Sequence, residues 1–403
     1  AGLAAAWLLS QRYQVSLFEA DNRLGGHANT VDIVGDQGQP LAVDTGFSVF
    51  NDRDYPNLRA LFSHLGVATH DSSMSFSFSS RSTGLEWAGD SLNTVFGQRR
   101  NLIRPSFLRM TLDILRFNAQ ARRLLSQPPD DAQSLAGFLD SAGIGPAMRR
   151  SYLLPMAAAI WSCPQRDMLA FPARRFLQFY QNHGLLDLIN RPQWHTVSGG
   201  ARTYIEVMRP GISGPIALAT PVRSIRRSAD AVTLHGDQGE LGVFDQVVVA
   251  THADQALALL AAPDAAESRL LGAFGYQRNV AWLHTDTALM PRLRRVWAAW
   301  NYLGNRDDAP PAVTYWMNRL QGLPGPSQYL VTLNPEQPPK DAQVLRRIIY
   351  DHPVFDQAAC AAQTELAGIQ GRQRTWYCGS YCGYGFHEDA LSSAIAVAKA
   401  LSV

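Results

Sequence analysis

Residues 1–31, AGLAAAWLLSQRYQVSLFEADNRLGGHANTV, constrain the fold more than any other stretch of the chain. They read as the second half of a dinucleotide-binding βαβ unit. Gly2 starts a small-residue helix, Leu3 to Leu9, in which Ala4, Ala5 and Ala6 keep one face thin enough to lie close on a sheet. Tyr13 to Glu19 (YQVSLFE) then reads as a buried strand ending in a carboxylate. In the full pattern G-x-G-x-x-G, the last glycine permits close helix–strand packing, and an acid about 20 residues on binds a ribose. Gly2 fits that glycine and Glu19 fits that acid. The first strand and the two phosphate-facing glycines would lie upstream of Ala1. The chain therefore reads as N-terminally incomplete, and its cofactor binding as weakened. On residues 1–19 alone, an ordinary α/β edge with an Ala-rich helix fits equally well.

Residues 21–30 shift that balance. Arg23, Gly25, Gly26 and Thr30 spell R-x-G-G-x-x-x-T just after the ribose acid. Adjacent glycines let backbone N–H groups approach an anion, and Arg23 adds charge for a pyrophosphate. Here the sequence resembles the flavin-containing amine oxidase and phytoene desaturase superfamily, with protoporphyrinogen oxidase a further relative. The resemblance implies FAD rather than NAD. It extends to Val43-Asp44-Thr45-Gly46-Phe47, similar to the family's strand and turn beside the flavin, and to Thr220-Pro221-Val222, where the valine backbone pairs with adenine. Residues 247–251 (VVVAT), with Ala250, resemble the strand returning beneath the cofactor. Trp376 to Ser393, with Gly379, Gly385 and Phe386, resembles the last FAD segment. HPVFD (352–356) together with GYGFHEDAL (383–391) is most similar to a bacterial branch of NAD/FAD-binding oxidoreductases.

The expected class is α/β, a Rossmann-like FAD-binding domain with an inserted α+β substrate domain. Residues 1–55, 191–255 and 366–403 are assigned to the first, 56–190 and 256–365 to the second. With 403 residues, 46% of them hydrophobic, the chain can bury a core for two domains. A net charge of +2 argues against bulk nucleic-acid binding. No apolar run reaches the roughly 18–20 residues that cross a bilayer; a cytoplasmic protein is expected, with peripheral contact to the membrane's inner face through 99–125 as an alternative. Cys163, Cys360, Cys378 and Cys382 lack metal-ligand spacing and read as buried, reduced thiols. No metal is expected, and the oligomeric state is left open.

Flavin dehydrogenation requires a C–H bond held over the ring in a dry, shaped pocket, with few protein groups doing covalent work. Many relatives that oxidise amines place a lysine near the flavin. The only lysines here are Lys340, in a Pro-rich loop, and Lys399, in a C-terminal helix, and both read as surface charge. The catalytic candidates are His27, standing where many relatives carry Arg, then His387, Glu388 and His352. For the 387–389 segment, orienting the loop or capping the next helix is the preferred role. Trp161, Trp194 and Tyr384 are candidates for the pocket wall or for plain core. Residues 99–125 mix seven arginines with Phe107, Leu108, Leu112, Leu115 and Phe117. An amphipathic helix packing its apolar side inward is preferred there, against one resting on anionic lipid. The leading functional reading is hydride removal from a small hydrophobic, lipid-like substrate. The alternatives are an amine or porphyrinogen oxidase using oxygen, and a flavin-binding protein without turnover.

Overall fold

The computed structural model describes residues 1–128, 133–161, 165–187, 191–304 and 312–402. Its largest element is a mixed seven-stranded sheet. Its strand order is Val344–Val354, Gly275–His284, Leu330–Leu333, Ala312–Trp316, Trp300–Gly304, Phe76–Ser80, Leu85–Ala88. All pairings are antiparallel except Trp300–Gly304 with Phe76–Ser80. The strands expected near 74–80, 281–285, 312–317 and 328–333 are present with shifted ends. The longest strand, Val344–Val354, was not anticipated, since Pro353 reads against a strand interior. Here Pro353 sits at the sheet edge, where its missing N–H is harmless.

Against this sheet pack the helices Pro105–Leu125, Leu135–Ser141, Leu154–Trp161 and Ala173–Asn182, joined in one core by Phe107, Phe117, Leu135, Trp161, Phe176 and Tyr180. The helix Pro105–Leu125 meets its expectation only in part. Phe107, Met110 and Phe117 face inward together with Asp113 and Asn118, whereas Leu108, Leu112 and Leu115 face solvent.

The other strands are short. Leu17–Phe18 pairs in parallel with Ile216–Ala217, and Val247–Val249 with Thr375–Tyr377. The buried seven-residue strand expected at 13–19 is thus two half-buried residues, since among the described residues only one of its edges is paired. Val222–Arg227, Val232–Gly236 and Gly239–Phe244 form an antiparallel meander, and Thr30–Val34 with Pro40–Asp44 a hairpin. The helix Gly2–Leu9 buries Ala4, Ala5 and Ala6, as its thin face predicts. The helix Pro56–Leu65 is bounded by proline at its first turn and by Gly66 at φ +66°, and it buries Leu58 and Phe62 one turn apart. The helix His387–Leu401 packs on both of these helices. Among the described residues no helix is long and apolar enough to cross a membrane.

Candidate functional site

A single core gathers segments remote in sequence: Ala4 and Ala5, Ala28, Val197 to Ile205, Cys378, and Leu391 to Val397, with Leu24, Phe47 and Ala250 packed on it. Along this seam the glycines singled out from the sequence, Gly26 apart, face close neighbours. A Cβ on Gly2 would stand 3.1 Å from that of Ala250, so the Gly2–Leu9 helix meets the end of Val247–Val249 at glycine range. Gly25 and Gly26 both have positive φ, +113° and +57°, and a Cβ on Gly25 would lie 2.5 Å from the Ala28 carbonyl oxygen. Gly46 is the tightest, because its Cβ would fall 2.1 Å from the His27 carbonyl oxygen. The Phe47 N–H donates to that same oxygen at 2.9 Å, which draws 45–47 and 27–29 together as an extended pair.

At one end of the seam Glu19 closes the strand Leu17–Phe18. The Thr220 N–H donates to its backbone carbonyl at 2.9 Å, which brings Glu19 and the Val222 strand into contact. One carboxylate oxygen of Glu19 accepts from the Asp21 N–H at 3.0 Å. Arg23 donates to the Gly26 carbonyl at 2.9 Å and has no carboxylate partner among the described residues.

At the other end lie the aromatic and imidazole rings. His27 stands 4.9 Å from Tyr350, 5.4 Å from His352 and 6.1 Å from His252, centroid to centroid. His252 stacks on Tyr276 at 4.4 Å. His387 stacks on Phe47 at 4.0 Å, and its Nε2 meets the Tyr204 hydroxyl at 2.7 Å. Burial holds His27 down at about 3, with help from its neighbours His352 and His252. Burial also holds His352 at about 4 and His387 at about 3. All three imidazoles are neutral near pH 7. The Nε2 of His27 is buried without a hydrogen-bond partner among the described residues. The histidines do not converge as metal ligands, nor does any other such group among the described residues.

Two candidates hold the fold together. Glu388 accepts from the Asn57 and Leu58 N–H groups at 2.8 and 2.9 Å and from the Asn57 side chain, so it caps the helix Pro56–Leu65. Asp44, placed from the sequence beside the flavin, is buried with both oxygens occupied by Thr30, Ala201 and Gln321, and burial pushes it up to about 6. It pins the hairpin to the turn before Arg202–Met208. Asp389 accepts from the Phe386 N–H at 2.9 Å and caps its own helix, as expected.

Gly385 has φ +95°, and its Cβ would strike Phe355 at 2.9 Å. Phe355, Pro353 and Val354 form one wall of a cavity of about 780 Å³ whose other side is Trp161, Met168 and Phe171. Phe386 stacks on Phe179, which also touches Trp161 and Tyr384. Two carboxylates border the cavity. Asp356 caps the helix Gln357–Glu365 through the Ala359 N–H, and Asp167 pairs with Arg166 at 3.4 Å. Trp161 therefore lines the cavity, whereas Trp194 lies on another sheet beside Tyr55. Cys360, Cys378 and Cys382 are thiols, the last two pushed up to about 11 and about 12 by burial, and Cys163 lies outside the described residues. Lys340 and Lys399 are exposed. The sequence reading missed Tyr350 and His252. Alternation along 344–354 puts Tyr350 on the face of His352, and His252 directly follows VVVAT.

A family model described as flavin containing amine oxidoreductase matches residues 1–351. The Mycobacterium tuberculosis protein named flavin-containing monoamine oxidase AofH is 27% identical over 254 residues, covering 60% of this chain and 52% of that protein. The chain thus spans about half the length of the curated relatives it matches. Among solved structures, the CLA-producing fatty acid isomerase from P. acnes superposes with a TM-score of 0.71 at 14% identity, over 100% of this chain and 96% of that one. Wild-type putrescine oxidase bound to putrescine gives 0.68 at 15% identity, over 99% and 96%. A structure described as a protoporphyrinogen oxidase from Exiguobacterium sp. 255-15 gives 0.67 at 16%, over 99% and 96%. At these identities the likeness is one of fold.

Proposed function

The chain belongs to the flavin containing amine oxidoreductase family, and from that premise we propose that it is an FAD-dependent oxidoreductase removing a hydride from a small hydrophobic, lipid-like substrate. The observation that carries the substrate class is the cavity beside Gly385 and Phe386: its walls are largely aromatic and aliphatic, and its two carboxylates are engaged elsewhere. An amine cation would call for a carboxylate left free to meet it.

The seam fits an extended dinucleotide. Its close-set glycines let these segments approach where side chains would intrude, and among the described residues Arg23 has no carboxylate partner and the buried His27 Nε2 has no hydrogen-bond partner. Glu19 and the backbone at Val222 would hold the adenosine, and Gly2, Gly25, Gly26, Arg23 and Gly379 the pyrophosphate. Gly46, Phe47, Ala250, Gly385 and Phe386 would line the path to the ring. When bound, FAD supplies the hydride acceptor. The chain's own contribution would be to orient and to dry the site: Trp161, Phe171 and Phe355 would keep water off the substrate, while the neutral imidazoles would place no cation beside the reacting carbon. His27, with its open Nε2, is the group suited to hydrogen bonding at the ring, and Tyr350 and His352 hold its plane.

The test is the absorbance spectrum of the purified protein, followed by anaerobic additions. Bands near about 370 and 450 nm that bleach with acyl lipids and not with amines support the reading. Bleaching by amines alone would favour an amine oxidase, the activity named for the Mycobacterium relative. No flavin band after reconstitution refutes the cofactor assignment.

A further inference from the structure

Six of the twelve large hydrophobic residues exposed among the described residues fall in one short stretch: Leu92, Leu102, Ile103, Leu108, Leu112 and Leu115. Ile103 is 83% exposed and Leu112 66%. Leu108, Leu112 and Leu115 are spaced four and three apart, so they form one stripe on the outer face of the helix Pro105–Leu125. The core does not need this stripe, because Phe107, Met110 and Phe117 fill the opposite face.

Arginines border it. Arg99, Arg100, Arg104 and Arg109 have no carboxylate partner among the described residues. Arg99 donates to the Phe96 carbonyl at 3.0 Å, and Arg100 donates to the Gly84 carbonyl. Arg99 and Arg100 also line a separate cavity of about 450 Å³ with Arg292 and Arg295. The one carboxylate there, Glu86, is turned into the protein, where it accepts from the N–H groups of Arg292 and Leu293 at 2.9 and 3.1 Å and from the Ser79 hydroxyl. The cavity is therefore cationic, and it adjoins an apolar ridge.

We propose that this face docks on an anionic phospholipid bilayer. Ile103 and the leucine stripe would enter the headgroup–acyl boundary, and the arginines, including those of the cavity, would take the phosphates. A protein partner is less well matched, because Ile103 and Leu112 project outward and line no groove. The inference rests on surface residues far in sequence from the flavin seam, so it stands apart from the oxidoreductase reading.

The test is flotation of the full chain with vesicles of phosphatidylcholine alone or with phosphatidylglycerol added, reading flavin content in parallel. Binding is expected only to the anionic vesicles and should weaken as salt rises above about 0.1 M. L108S/L112S/L115S and R99Q/R104Q/R109Q should each lower that binding about tenfold or more, with the circular dichroism spectrum unchanged. If either triple variant fails to fold, I103D, at the most exposed position, should give the same loss. Equal binding to neutral vesicles, no binding to anionic ones, or retention on an acidic protein without vesicle binding would overturn the proposal.

Discussion

Lowering the pH from 7 to 5 should destabilise this fold by an amount that can be worked from four imidazoles. His27 and His387 are held at about 3, and His284 and His352 at about 4, in each case first by burial. Unfolded histidine titrates near about 6.5. Between pH 7 and 5 the unfolded chain therefore binds protons that the folded chain refuses, and stability falls with pH. Each ring contributes a loss of about 2 kcal/mol over that interval, roughly 7–8 kcal/mol for the four. Asp44 and Asp389 act in the opposite sense. Burial raises both to about 6, so the folded chain takes up their protons first. Together they return about 2.5–3 kcal/mol. The histidines win, leaving a net loss of about 5 kcal/mol, a large fraction of the roughly 5–15 kcal/mol that holds an ordinary domain. Urea unfolding at pH 7, 6 and 5 measures this directly. Replacing His27 by Asn should remove about 2 kcal/mol of the pH-dependent loss, whatever it does to stability at pH 7. An unfolding free energy that is flat or rising towards pH 5 would refute the assignment of neutral, desolvated rings.

Gly46→Val should abolish flavin retention, read as the ratio of visible to ultraviolet absorbance, since a Cβ there would overlap the His27 carbonyl. Arg227→Met leaves the Glu267 carboxylate buried without its bidentate partner, at 2.5 and 2.9 Å, and should cost about 3–5 kcal/mol in chemical denaturation. The double variant R227M/E267L should recover most of that loss. Glu388→Gln should lower stability by about 1–3 kcal/mol without moving the flavin spectrum, because the carboxylate serves the helix Pro56–Leu65. A shifted spectrum would return it to the site.

What the sequence made legible follows local chemistry. Gly2, Gly25, Gly26 and Gly46 were readable because each has a backbone reason to lack a side chain, and each occupies a position where a Cβ meets a neighbour, or, at Gly26, where φ is positive. The capping role of Asp389 was readable because its partner lies three residues away. The partners of Glu388, and Ala201 and Gln321 as partners of Asp44, were not, because they lie more than 150 residues distant and no periodicity announces them. Tyr350 was lost with its strand. The arginine-rich helix packs an apolar side inward as expected, but which apolar residues turn inward was not readable, since Phe and Leu are equally apolar and only tertiary packing decides.

The Asn57–Glu388 hydrogen bonds span 331 residues, and the helix bearing Glu388 lies against both Gly2–Leu9 and Pro56–Leu65. The ribosome therefore releases the first walls of the seam long before the residues that close it exist. At roughly 5–20 residues per second, the early segments wait tens of seconds with Leu58, Phe62 and Ala4 uncovered. A nascent chain of this kind is a natural client for chaperones, and the yield of active protein should depend on the speed of translation as much as on the stability of the finished fold.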